Sequence, residues 1–136
     1  MLKLSDLKIG ESEEFKIRIT LEDHNNFKSF SGDISPVHND DSFAKSAGYD
    51  KKTVYGFHIL TYLSRFYGNY LPGGSSVCLK QNIEFLKPVY LNENITIKGT
   101  ITNLNKNLKL ITIKNEILNE NGELCLNGEA ILKMLL

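Results

Sequence analysis

Missing features narrow the chemistry of this chain before any motif does. Its 136 residues hold only two cysteines, Cys78 and Cys125, far apart and at no zinc or redox spacing. Each sits in an apolar stretch that reads as a strand, so both are expected to be reduced core thiols. Neither sign of charge is in excess, with Lys+Arg and Asp+Glu at 16 each. That balance gives no reason to expect nucleic acid or an anionic membrane surface as a partner. The opening residues, Met1 to Asp6, lack the apolar stretch of a signal peptide. The most apolar helical stretch contains Arg65 and is short for a membrane span. These absences predict a soluble, cytoplasmic protein with no membrane partner. There is no glycine-rich phosphate loop, nucleophile elbow or dinucleotide fingerprint. No cluster has metal-ligand spacing, so no metal is expected.

What remains is ordinary globular material, 41% hydrophobic and 24% charged, of a length that predicts one domain over residues 1–136. Residues 14–20 alternate, with Phe15, Ile17 and Ile19 on one face and Lys16 and Arg18 on the other, which predicts a half-buried strand. Thr20 and Asp23 have capping-box spacing, and a short helix follows in which Phe27 and Phe30 read as core. Asp40-Asp41-Ser42 looks like the acidic start of a second short helix, ended by Gly48. Residues 56–71 place Phe57, Ile59, Leu60, Tyr62, Leu63, Phe66 and Tyr67 nearly all round a helix, which predicts burial on most sides. The remainder reads as four strands. Pro88 marks the first as an edge or a strand end, Asn105-Lys106-Asn107 is a hairpin turn, and Asn121-Gly122 suggests a type I′ turn. The order predicts an α+β fold, an antiparallel meander curled around one apolar helix. Such a sheet covers only part of the helix, and the uncovered apolar surface favours a homodimer.

Two places carry candidate chemistry. In Ser31-Gly32-Asp33-Ile34-Ser35-Pro36-Val37-His38, a carboxylate and an imidazole flank a proline that stiffens the link and pushes Ser35 toward extended geometry. An Asp33/His38 pair can orient and deprotonate water near neutral pH. Equally, Asp33 can close a turn while His38 bonds a carbonyl at a helix start. Gly56 opens the apolar helix. Its amide can receive a developing oxyanion, or the glycine simply permits close packing. Ser64, eight residues on, either lines the same pocket or back-bonds to its helix. His58 reads as a satisfied core or interface histidine, and His24 is less promising than His38.

The segments "FSGDISPVHNDDSFAKSAGY", "TVYGFHILTYLSRFYGNYLPG" and "LKQNIEFLKPV" resemble the MaoC-like, (R)-specific enoyl-CoA hydratases of the hot-dog superfamily. The resemblance runs from about residue 10 to the C-terminus. It implies a long helix wrapped by an antiparallel sheet, usually as a dimer. It also implies reversible hydration of a trans-2-enoyl thioester, carried by CoA or acyl carrier protein, to the (R)-3-hydroxyacyl thioester. Asp33 and His38 would hold the water, the Gly56 amide would bond the thioester oxygen, and Ser64 matches a pocket serine. No cofactor is implied, because the thioester carbonyl itself acidifies C2. The chain departs from the family pattern at Ser35, where asparagine is usual, and at Tyr55-Gly56-Phe57, where His-Gly-Met is common. Ser35, Tyr55 and Phe57 are therefore expected around the bound substrate, with Phe57 altering the acyl pocket. A non-catalytic acyl-thioester module and a thioesterase are the other classes that such a fold supports.

Overall fold

The computed structural model describes residues 2–136. Strand β1 (Ser12–Arg18) leads into helix α1 (Leu21–Ser31), and two short helices follow, α2 (Pro36–Asn39) and α3 (Asp41–Ser46). The long helix α4 (Gly56–Asn69) precedes β2 (Ser76–Phe85), β3 (Asn94–Asn105), β4 (Leu110–Leu118) and β5 (Leu124–Met134). All strands pair antiparallel in one sheet of order β1-β3-β4-β5-β2. The sheet and helix expected from the periodicity are both present. β2 is an edge strand that ends before Pro88, as that proline implied.

Local signals act where the residues put them. The Thr20 hydroxyl accepts from the Asp23 N–H at 3.2 Å, and the Asp23 carboxylate accepts from the Thr20 N–H at 3.1 Å, closing the capping box. Gly32 ends α1 at φ 75°, a left-handed conformation that glycine adopts without steric cost.

Alternate residues of β3, β4 and β5 bury Ile95, Ile97, Ile101, Ile111, Ile113, Ile117, Leu126 and Leu132 against Ile59, Leu63 and Phe66 of α4. The helix sits close to the sheet because Gly99 on β3 has no side chain. A Cβ there would lie 2.4 Å from the ring of Phe66, which is fully buried and cannot swing away. Gly99→Ala is therefore expected to destabilise the fold by about 1–3 kcal/mol through overpacking. An unchanged thermal midpoint in that variant would contradict this seating of the helix.

Four expectations need correction. Helix α4 is not buried on most sides: Ile59, Leu63, Phe66 and Tyr67 form a buried stripe, while Phe57 is 71% exposed and Leu60 and Tyr62 are half-buried. Phe30 is not core but 92% exposed, because α1 meets α4 through Phe27, stacked on His58, and among the described residues nothing covers the last turn of α1. Cys125 is buried but Cys78 is exposed, since it lies on an edge strand beside a register shift that re-aims its side chain. The short helix expected from Asp40-Asp41-Ser42 does start at Asp41, but one further turn precedes it, opened by Pro36 and containing His38 itself. At the last hairpin only Gly122 has positive φ, so the turn is not type I′. There the Asn119 side-chain oxygen accepts from the N–H groups of Asn121 and Glu123, closing a longer loop.

Candidate active site

The link between α1 and α2 is held by its own side chains. The Asp33 carboxylate accepts from the Ser35 N–H at 2.9 Å. Ser35, by its hydroxyl first and then by this N–H, holds the exposed Asp33 carboxyl below the usual carboxylate range. Serine at this position therefore serves the acid directly.

His38 is half-buried on the single turn of α2. Its Nδ1 lies 2.8 Å from the Thr53 carbonyl oxygen and 3.0 Å from the Thr53 hydroxyl. A carbonyl can only accept, so Nδ1 carries the hydrogen and Nε2 is the nitrogen left for a ligand. The imidazole borders a cavity of about 420 Å³ whose wall includes Thr53, Gly56, Phe57, Phe85 and Val89.

Gly56 is the first residue of α4, and the first intrahelical bonds run from His58 and Ile59 back to the Tyr55 carbonyl. The Gly56 amide thus lies ahead of the helical ladder, on the cavity wall. A Cβ on Gly56 would lie 2.4 Å from the Phe85 ring, so the glycine also makes room for that ring. Both sequence readings of Gly56 have a structural counterpart. Phe57 stands at the cavity mouth, its ring 6.1 Å from that of Phe85.

Two expected site residues lie elsewhere. Ser64 is exposed and lines a second cavity of about 430 Å³, with Leu60, Tyr67 and Gln81. Eight helical residues carry it roughly 12 Å along α4 and about 80° round from Gly56, so the chain by itself does not put the two on one pocket. Tyr55 is only 2% exposed and lies behind His38, their ring centroids 4.3 Å apart. It backs the site and is not part of the cavity wall.

Residues that sequence reasoning passed over complete the arrangement. His24, 1% exposed, donates from Nε2 to the His38 carbonyl at 2.8 Å, and Asn39 bonds both the Ser35 carbonyl and the Tyr55 hydroxyl. Their separation in sequence gives no periodic signal. The one available clue was polar residues in an otherwise apolar cluster. His58 is buried as expected, stacked on Phe27 at 4.8 Å, but Nδ1 of neither His24 nor His58 has a hydrogen-bond partner among the described residues. Among those residues no group of side chains could hold a metal ion.

Burial pushes both imidazoles below their ordinary value; at His24 the bond to the His38 carbonyl opposes this while the nearby charges of Lys52 and His38 add to it, and at His58 the His24 imidazole adds to it while Asp23 opposes it. Between the folded and unfolded values the unfolded chain binds more protons, so stability falls as pH drops through about 6.5. Denaturation midpoints are expected to be lower at pH 5.5 than at pH 7.5. His58→Leu should flatten that slope, and a slope unchanged by the substitution would contradict the assignment.

The profile described as "MaoC like domain" matches residues 6–121. The chain belongs to this MaoC-like family. The (R)-specific enoyl-CoA hydratase of Aeromonas caviae is 26% identical over 133 residues, spanning 98% of this chain and 99% of the relative. The mitochondrial 3-hydroxyacyl-(acyl-carrier-protein) dehydratase of Arabidopsis thaliana is 25% identical over 127 residues, 91% of this chain and 75% of the relative. The solved (R)-hydratase of A. caviae involved in PHA biosynthesis superposes with a TM-score of 0.89 at 27% identity, over 94% of this chain and 97% of that one. The fold of this MaoC-like chain is therefore the hot-dog fold, and its relatives are hydratases and dehydratases. No helix among the described residues is long and apolar enough to cross a membrane.

Proposed function

We propose that this MaoC-like chain catalyses the reversible hydration of a trans-2-enoyl thioester to the (R)-3-hydroxyacyl thioester. The observation that carries the reading is the fixed tautomer of His38, which leaves Nε2 free on a residue that lines the same cavity as Gly56. Asp33, kept ionised by Ser35, accepts from the water and orients it. A carboxylate with a lowered pKa is a weak base, so the imidazole is better suited to take the proton. His38 Nε2 takes one proton as the water oxygen bonds C3. The C2=C3 π electrons move toward C2 and the thioester carbonyl, where the Gly56 N–H donates to the developing enolate oxygen. The proton then passes from His38 to C2, so that one water is added in all, and dehydration is the reverse. No cofactor enters these steps.

The test is loss of the enoyl-thioester absorbance with crotonyl-CoA and longer homologues. Turnover is expected on at least one chain length, and none on any of them would overturn the reading. Comparing CoA and carrier-protein forms of one acyl group assigns the carrier. Free thiol release without hydration would instead mark a thioesterase.

A homodimer belongs to the same proposal. β2 is an unpaired edge that exposes Val77, Leu79 and Phe85, and antiparallel pairing of two such edges about a two-fold axis would satisfy both copies. Light scattering at micromolar concentration is expected to give twice the chain mass.

A further inference from the structure

Tyr55 has an unusual set of contacts for a residue beside a substrate cavity. Its hydroxyl donates to the Asp33 carbonyl at 2.5 Å and accepts from the Asn39 side-chain amide at 2.9 Å. The same amide nitrogen donates to the Ser35 carbonyl at 2.9 Å. Both amide hydrogens of Asn39 are thus engaged, as is the single hydrogen of the phenol. The Tyr55 ring packs against His38 on one side and against His24 and Phe27, each at 4.9 Å. One buried side chain therefore touches both members of the proposed acid–base pair, one through its backbone and the other through its ring.

We propose that Tyr55 and Asn39 form a clamp that sets the position of Asp33 relative to His38, making Tyr55 a positioning residue and not an acyl-binding one. The inference rests on the hydratase reading of the same site. It accounts for the departure at residue 35. Serine has no side-chain amide with which to brace the loop, and Asn39, one helical turn later, supplies an amide to the Ser35 carbonyl. Neither Asp33 nor Ser35 lies in regular secondary structure, so without the clamp the acid hangs on a loop whose internal bonds are local. Small displacements of a reacting group are costly in rate, because the productive geometry must be found in every turnover.

The experiment uses the full chain with Tyr55→Phe, Asn39→Leu and the double substitution. Tyr55→Phe keeps the ring on His38 and removes only the hydroxyl. Each single change is expected to lower kcat about tenfold with KM within about twofold, at a temperature where all variants remain folded. The double variant should lose no more than about the larger single loss, because both changes release one clamp. Solvent exchange of the amides of residues 33–40, followed by NMR, should quicken in Tyr55→Phe. An unchanged kcat in folded Tyr55→Phe overturns the proposal, as does a rise in KM at constant kcat, which would make Tyr55 a substrate contact. The exchange measurement needs no turnover. If the wild-type chain hydrates none of the thioesters, the hydratase reading fails, while quickened exchange upholds the clamp and unchanged exchange overturns it.

Discussion

His38→Ala is expected to lower kcat/KM for an enoyl thioester about a thousandfold, the middle of the range for removing a general base. The size follows from the bonding of the ring. Nδ1 is committed to Thr53, so Nε2 alone is free to exchange a proton with water, and no second imidazole can replace it. His24 and His58 are buried, and His24 has its Nε2 bound to the His38 carbonyl. Alanine also strips the Tyr55 ring of a neighbour and removes the bond to the Thr53 carbonyl, so part of the loss comes from the fold. His38→Asn separates the two effects, since its side-chain N–H can still reach the Thr53 carbonyl but offers no base. Both variants should be slow, and His38→Asn should have a thermal midpoint close to wild type. If His38→Asn keeps activity within about threefold of wild type, His38 is not the base.

Asp33→Asn is expected to cost about a hundredfold in kcat with little effect on stability. The side chain is exposed, and an asparagine oxygen can still accept from the Ser35 N–H, so the loop should close as before. What disappears is the negative charge that, in the proposed mechanism, orients the water and faces the imidazole as it gains a proton. Because Ser35 keeps the Asp33 pKa below its ordinary value, the carboxylate is ionised throughout the working range. Acidification to pH 5 should therefore not titrate it, and the pH dependence of Asp33→Asn above pH 5 should match that of the wild type in shape. Equal rates for the two proteins would remove Asp33 from the mechanism.

The fold was legible wherever the signal was local and repeated. Alternation along β3 and β4 located those strands, the capping box at Thr20 started α1 where expected, and Pro88 marked β2 as an edge or a strand end, and it is both. The misreadings share one cause. A stripe of apolar residues tells which face of a helix can be buried, not how much protein stands opposite it. Phe30 and Phe57 lie on apolar stretches but stay largely exposed, and Cys78 lies on a strand whose outer side is open.

The candidate site divides the same way. The sequence by itself determined the stiff Asp33-Pro36-His38 segment, a helix start at Gly56 and the sheet around the helix, because each follows from residue type and short-range geometry. Tertiary structure alone decided that Thr53 fixes the tautomer of His38, that Tyr55 stands behind the imidazole and that Ser64 opens onto a different cavity. Those facts depend on contacts between residues distant in the chain or on rotation about a helix axis. A linear pattern of residue types does not encode which side chains such folding brings face to face.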